Sequence, residues 1–593
     1  MSNRIQLRLG KMRDLMKNNG LDAFIVVSSD PHSSEYVADC WKSREWISGF
    51  DGSAGTVVVT ADKALLWTDS RYWLAAESLL EGCEIALMRA GAAGVPDITE
   101  WLSENLAPGA VVGVDGCVCS IAEVKEWSSG LASSGITVKA VSDPFSIIWE
   151  ERPSVPTGKA EVLPVDCCGE AASEKLMRLR NELDRLGAAG MLVTMLDEVA
   201  WLTNLRGSDV DYNPVLVSYM LVTADKATLF VDDVKVTDGV AGYLAAEGIA
   251  LAPYNAVWQA LRDYSEDTIL LNPARCNHAV LESLPCSATP LFKDSPVAML
   301  KAIKNGVEIE GFRKAMLSEG IAMVKLLHWL RPAVEKGGVT ELDVDKRLTE
   351  LRSADKEFRG LSFATIAAYG ANAAIVHYEP TPESNTLLQP RGFLLLDCGG
   401  QYTGGTTDIT RTIPLGELTA EEREDYTRVL RGHISLAMAK FPKGTCGTQL
   451  DVLARQWLWS AGENYLHGTG HGVGHFLNVH EGPHQIRMNN VPVHLQPGMT
   501  VTNEPGLYKA GRFGIRIENT MLIKHFCDGE FGAFYEMEPL TLSPIDTTPV
   551  VPELLGEAEK EYLNNYNAKV CEILLPHLDA EEQAFLKNYS API

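Results

Sequence analysis

The stretch His467-Gly468-Thr469-Gly470-His471-Gly472-Val473-Gly474-His475 spaces histidines four residues apart in a run with glycine at every second position. So much glycine makes poor helix. It does let backbone come close to a bound group while imidazoles point at it. Carboxylates flank the run, with Asp397 and Asp408 upstream and Glu504 and Glu518 downstream. Four carboxylates and one imidazole from this run suit a harder divalent ion such as Mn²⁺, with Co²⁺ or Zn²⁺ as substitutes. Four anions are too many for one open catalytic ion. Two ions about 3.5 Å apart, bridged by a hydroxide nucleophile, fit them better.

Two nearby patterns invite other readings. His480-Glu481-Gly482-Pro483-His484 matches the H-E-x-x-H of zinc proteases. That motif works only on a helix, and Gly482-Pro483 would break one. His480 reads instead as a substrate-facing histidine on a loop. The glycines at 468, 470, 472 and 474 do not fit G-x-G-x-x-G, and no βαβ opening precedes them.

The acidic residues fall where strands end. Gly392-Phe393-Leu394-Leu395-Leu396 is a short apolar run that ends in Asp397, a Gly- and Thr-rich turn follows, and Asp408-Ile409-Thr410-Arg411-Thr412-Ile413 alternates like a second strand. Such a hairpin can set two carboxylates on neighbouring strands, where facing Cβ atoms are about 5 Å apart. Taken alone, two loop aspartates are more often a turn feature than a functional pair. Glu504 closes Met499-Thr500-Val501-Thr502-Asn503. In Ile515-Arg516-Ile517-Glu518, Arg516 and Glu518 share one face of a strand. The arginine is either a plain salt-bridge partner or the group that keeps Glu518 ionised and oriented.

Behind these lies an ordered chain. Arg4–Asn19 has helical spacing of Ile5, Leu9, Met12 and Met16, and Ala23–Val27 reads as a buried strand. Val59-Thr60-Ala61-Asp62-Lys63-Ala64-Leu65-Leu66-Trp67-Thr68-Asp69 recurs as Val222-Thr223-Ala224-Asp225-Lys226-Ala227-Thr228-Leu229-Phe230-Val231-Asp232, identical at eight of eleven positions. Each copy reads as strand, tight turn, strand, which makes the first half a duplicated α/β module. Pro153, Pro156 and Pro164 mark a linker between the copies. A long amphipathic helix over Val307–Leu330 opens the largest domain. Strands are expected to dominate from Gln389 on. Helix returns from Pro552 to Ile593, as a cap or a dimer contact.

Composition narrows the class. A net charge of −26 argues against nucleic acid or an anionic membrane as partner. Twelve cysteines without a CxxC pattern read as reduced thiols of a cytoplasmic protein. No run of about 18 apolar residues spans a bilayer, and the mixed, charged first residues are unlike a signal peptide.

Together the motifs resemble the pita-bread metallopeptidases, and within them the three-domain cytosolic type of Xaa-Pro aminopeptidase. The resemblance runs through Trp46–Gly55, Leu66–Tyr72 and Trp201–Asp209, then Ile375-Val376-His377-Tyr378, Gly405–Asp408, His467–Gly474, Asn478–Pro483, Asn503–Gly506, Gly514–Asn519 and Leu563–Tyr566. It implies an α/β architecture with two creatinase-like domains, residues 1–152 and 165–298. A pita-bread catalytic domain, 299–535, and a C-terminal extension, 536–593, complete it.

The resemblance also implies roles. Asp397, Asp408, His471, Glu504 and Glu518 would hold two metal ions, usually manganese, and Glu504 would also act as general base. His377 and His480 would stabilise the tetrahedral intermediate and guide a proton to the leaving proline nitrogen. His467 would line the proline pocket, and Tyr508 and Arg516 would support the site. The substrates implied are peptides with proline second, the assembly a homodimer. His475 and Asn503 depart from the pattern, where a small residue and an aspartate are expected; His475 is placed at the pocket wall. The rival within the fold is a prolidase, limited to Xaa-Pro dipeptides. The rival outside enzymes is a non-catalytic peptide-binding module.

Overall fold

The repeated stretch folds twice into the same hairpin. Thr56–Thr60 pairs antiparallel with Ala64–Thr68, and Ser218–Thr223 pairs antiparallel with Ala227–Val231. Each turn is closed by its own threonine. Thr60 Oγ1 donates to Asp62 and accepts from the Lys63 N–H, and Thr223 Oγ1 does the same with Asp225 and Lys226. Each hairpin belongs to a six-stranded sheet of one common order. In the first, Ala23–Val27 is flanked by the hairpin on one side and by Val111–Asp115 on the other, with Ile85–Arg89 and Thr137–Val141 outermost. In the second, Gly190–Val193 holds the same central place between its hairpin and Thr268–Leu271. The first helix, Ser2–Asn19, buries Ile5, Leu9, Met12 and Met16 against its sheet, as their spacing predicts.

This computed structural model describes residues 2–593. The chain forms two compact units, Met1–Pro164 with Glu170–Ala298, and Val165–Gly169 with Met299–Ile593. Residues 165–169, at the head of the expected second domain, thus group with the second unit. No helix among the described residues is long and apolar enough to cross a membrane.

The second unit is built on the helix Gly306–Lys336, capped by Asn305, whose side chain accepts from the Val307 and Glu308 N–H groups. It runs a turn and a half beyond the expected end at Leu330 and through Pro332. A proline there costs a hydrogen bond, but Leu330 and Val334 are buried on one face, and that packing carries the helix on. Against it lies the antiparallel sheet of Ile366–Tyr369, Phe393–Cys398 and Ile409–Pro414. A four-stranded sheet contains Thr500–Asn503 and Asn519–Gly529.

The expectation of strands from Gln389 on misses two helices, Ala420–Ala437 and Gly447–Trp459. The first carries a capping box from Thr419 and Glu422 that is legible in the sequence. The C-terminal helices Glu557–Leu574 and Ala580–Tyr589 bury Leu563, Tyr566, Val570, Leu574 and Leu586 in the core of this unit. They therefore cap it.

Two buried features give this unit its expected responses. Arg352 forms hydrogen bonds of 2.6 to 3.1 Å with Glu319, both side chains excluded from water. Glu319 also accepts from Tyr402 and Thr407. Replacing one member strands a buried charge, so Arg352→Met should cost about 3–5 kcal/mol. Denaturant unfolding should show the loss in the transition of the second unit only. His433, on Ala420–Ala437, is fully buried, and burial, with Arg411 adding to it, depresses its imidazole to about 3. Its folded value lies below its ordinary 6.5, so the neutral ring contributes stability above pH 6.5 that is lost as pH falls toward 3. The stability gap between the parent chain and His433→Gln should therefore narrow between pH 7 and pH 4 in thermal unfolding.

Candidate metal centre

Register brings the first pair of carboxylates together. Asp397 lies opposite Thr410, and Cys398 opposite Ile409, in the ladder between Phe393–Cys398 and Ile409–Pro414. Asp408, two residues before Thr410, returns to the same face. His471 sits in the short strand Gly470–Gly472, opposite Gln485. Glu504 ends Thr500–Asn503, and Glu518 lies between Phe513–Arg516 and Asn519–Gly529. Ligand atoms of Asp408, His471 and Glu518 all lie within 4.8 Å of one another. His471 Nε2 is 3.4 Å from Asp408 Oδ2 and 3.7 Å from Glu504 Oε1.

The imidazole is fixed from behind. His471 Nδ1 is 2.9 Å from the Gly472 carbonyl, so an N–H donated there leaves Nε2 to the carboxylates. The alternating glycines serve a purpose other than the one expected. A Cβ on Gly470 would overlap the Thr502 carbonyl, one on Gly472 the Glu481 carbonyl, and one on Gly474 would fall 2.7 Å from that of Asn478. The glycines admit neighbouring backbone, and the histidine strand is thereby pressed onto the strand that leads to Glu504.

Arg516 is paired with Asp397, not with Glu518 as the alternation suggests. Its Nη2 is 2.7 Å from Asp397 Oδ2. Its Nη1 donates to the Tyr508 hydroxyl at 2.6 Å, and that hydroxyl is 2.8 Å from His467 Nε2. Glu518 is held instead by Thr410, whose hydroxyl donates to Oε2 at 2.7 Å. Arg411 donates to the Glu518 carbonyl and to Asn519 Oδ1. Thr410 and Arg411 escaped the sequence reading; the one signal was their alternation with Asp408 along a strand.

The charges are not balanced by protein groups alone. Burial raises the carboxyls of Asp397, Glu504 and Glu518, and their mutual repulsion and that of Asp408 add to it; Glu504 reaches about 7. Burial would lower His471, but the hydrogen bond to Asp408 and the charges of Glu504 and Asp408 outweigh it and lift the imidazole to about 9. Asp397 Oδ1 is buried without any hydrogen-bond donor. An orphaned carboxylate oxygen beside three further carboxylates and an imidazole is a donor set that fits divalent cations.

The other expected residues surround this cluster. His480 stands edge-on to His471, ring centroids 4.4 Å apart. His377 is half-buried in the turn after Gly370–Ala374, and the carbonyl of its neighbour Val376 accepts from Arg516 at 3.3 Å. Glu481 pairs with Lys301 at 2.8 Å and with Lys304, and His484 Nε2 meets the Thr500 carbonyl at 2.7 Å. Both lie on the strand Glu481–Ile486, so the H-E-x-x-H pattern is no helical zinc motif. His475 is buried against Phe312, ring centroids 5.8 Å apart, and beside Gly311. The residue expected at the pocket wall thus packs on the long helix. Asn503 exchanges hydrogen bonds with the backbone carbonyl and ring of His433.

Comparison with known proteins agrees with this organisation. Residues 310–525 match the metallopeptidase family M24 and residues 533–593 its C-terminal region. Residues 8–151 and 151–308 each match a creatinase/prolidase N-terminal domain. A probable Xaa-Pro aminopeptidase P of Laccaria bicolor is 41% identical over 99% of this chain and 93% of its own length. The X-prolyl aminopeptidase of Caenorhabditis elegans, described as a cytosolic enzyme with a di-nuclear active site, superposes with a TM-score of 0.95. It is 34% identical, over 99% of this chain and all of its own. The Xaa-Pro dipeptidase of Bacillus anthracis, 25% identical with a TM-score of 0.52, matches 63% of this chain and 99% of its own. With its five-residue acidic and histidine cluster and its kinship to full-length relatives, the chain belongs to metallopeptidase family M24.

Proposed function

We propose that this chain is a dimetal aminopeptidase that releases the first residue from peptides with proline in second position. The observation that carries the proposal is the convergence of Asp397, Asp408 and Glu518, which are buried, with the partly exposed His471 and Glu504, the orphaned Asp397 Oδ1 among them. These five side chains would hold two divalent ions, Mn²⁺ by the hardness of the donors. Bound there, the ions supply a Lewis acid for the scissile carbonyl and acidify water to a nucleophile near neutral pH.

The rest falls to the protein. Arg516 keeps Asp397 ionised and oriented through its 2.7 Å contact. Glu504, 3.7 Å from His471 Nε2, takes the proton of the attacking water as general base and passes it on. His480 and His377 stabilise the charge on the tetrahedral intermediate and pass a proton to the departing proline nitrogen. The Tyr508 hydroxyl accepts from Arg516 and can donate to His467 Nε2, which leaves the His467 Nδ1–H for the Gly468 carbonyl at 2.7 Å. The two rings, centroids 5.4 Å apart, are thereby set as a wall for the proline ring.

Proline lacks an amide N–H and fixes φ near −65°, so a site that selects the ring replaces the extended-chain recognition of general peptidases. The acidic cluster suits the free α-amine of the substrate. The full-length matches favour the aminopeptidase over a dipeptidase, since both relatives matched over 99% of this chain, duplicated module included, are named Xaa-Pro or X-prolyl aminopeptidases. Free cysteines throughout accord with a reducing, cytoplasmic setting.

Metal-stripped protein should release the first residue of an Xaa-Pro-Xaa tripeptide only after Mn²⁺ is restored. Glu504→Gln, in the same assay, should lose at least about 10³-fold in kcat with its fold intact. Cleavage of the dipeptide alone would make the chain a prolidase, and cleavage of neither, with metal bound, a binding module. The chain should run as a homodimer in light scattering; a one-chain mass would remove that part of the reading.

A further inference from the structure

The turn that carries His377 is held by a carboxylate outside the five-residue cluster. Glu341 is the first residue of the helix Glu341–Arg352, and its side chain is excluded from water. Its Oε1 accepts from the Tyr369 N–H at 2.7 Å, and its Oε2 from the Thr386 N–H at 2.8 Å and the Tyr378 hydroxyl at 2.9 Å. Asn372 Nδ2 approaches both oxygens, at 3.1 and 3.2 Å. The backbone closes the set, the Glu341 N–H donating to the Thr386 carbonyl at 3.2 Å. No lysine or arginine of the described residues is among these partners.

A buried carboxylate without a cation is tolerated only where hydrogen bonds replace its water. All four donors here come from one segment, 369–386. That segment leads to the candidate centre at its middle. Ala373 lies so close to Phe513–Arg516 that a Cβ on Gly514 would overlap its carbonyl, and the Val376 carbonyl accepts from Arg516, the partner of Asp397. His377 follows directly, and Tyr378, which donates to Glu341, follows His377.

We propose that Glu341 is a positioning residue for His377: its carboxylate gathers four donors from segment 369–386 and fixes the turn on which His377 faces the substrate. The inference rests on the aminopeptidase reading, in which His377 acts on the tetrahedral intermediate. Glu341→Gln keeps the shape but turns an NH₂ group toward N–H and O–H donors, so the turn loosens while the metal ligands stay in place.

The test is a double-mutant cycle on the Mn²⁺-loaded enzyme with an Xaa-Pro-Xaa tripeptide. Glu341→Gln should lower kcat by about 10- to 100-fold, the cost of a misplaced group, with KM within about threefold and metal content unchanged. In the His377→Ala background it should cost nothing further. Tyr378→Phe, which removes one donor to Glu341 together with the hydroxyl's contacts to Ser384 and Asn372 in the same segment and leaves the charge untouched, should show a smaller loss with the same dependence on His377, and it carries the cycle if Glu341→Gln does not fold. Amide exchange should quicken in 369–386 and nowhere else in the second unit. Losses that multiply in the double variant, or unchanged exchange in 369–386, would overturn the proposal. A parent enzyme that leaves the tripeptide intact would instead overturn the aminopeptidase reading, and exchange would still report whether Glu341 holds the turn.

Discussion

Four carboxylates brought within reach of one another in a buried site repel, and the arrangement around them answers that repulsion. Inside a protein such charges interact far more strongly than in water. Arg516 is set directly on one of these carboxylates, at Asp397. Thr410 gives Glu518 a hydrogen bond and no charge. The lift of Glu504 and of His471 from their ordinary values expresses the remaining imbalance. Divalent cations are what such a donor set is short of, and holding them is what the fold must be rigid enough to do.

Rigidity comes from backbone pressed on backbone. The glycines at 470 and 472 leave no room for a side chain between the histidine strand and its neighbours. Thr502 Oγ1 accepts the His471 N–H at 3.1 Å, and the Thr469 carbonyl accepts the Glu504 N–H at 2.8 Å. His471 and Glu504, on separate segments, are thereby tied by one main-chain bond and one short threonine hydroxyl, each reaching the strand of the other. His433 adds a tie from the helix Ala420–Ala437, through Asn503 and Asn519, to the residues beside Glu504 and Glu518.

The N-terminal unit is a different kind of object. Its two sheets repeat one strand order and one threonine-closed turn. The turn repeats because it is local: a threonine, an aspartate and a lysine within four residues make the bonds that close it. The sheet order repeats although most of the two sequences differ, because near-continuous apolar strands, buried on both faces, specify the layer whatever the identity of each residue.

The sequence by itself determined the duplicated module, the strand-end positions of Asp397 and Glu504, the non-helical character of the H-E-x-x-H stretch, which lies mostly on a strand, and the family, because each rests on residues close in the chain or on ordered motifs. The tertiary structure decided what those residues touch. Arg516 and Glu518 share a strand face by alternation, yet the chain turns between Phe513–Arg516 and Asn519–Gly529, and Arg516 meets Asp397, 119 positions away. His475 has the spacing of a ligand and lies against Phe312. The glycines that read as room for a ligand are room for Thr502 and Glu481. Glu341 carries no sequence signal at all. Spacing along a chain fixes direction for only a few residues, whereas partners are fixed by which segments the core forces together, and a sequence does not state those distances.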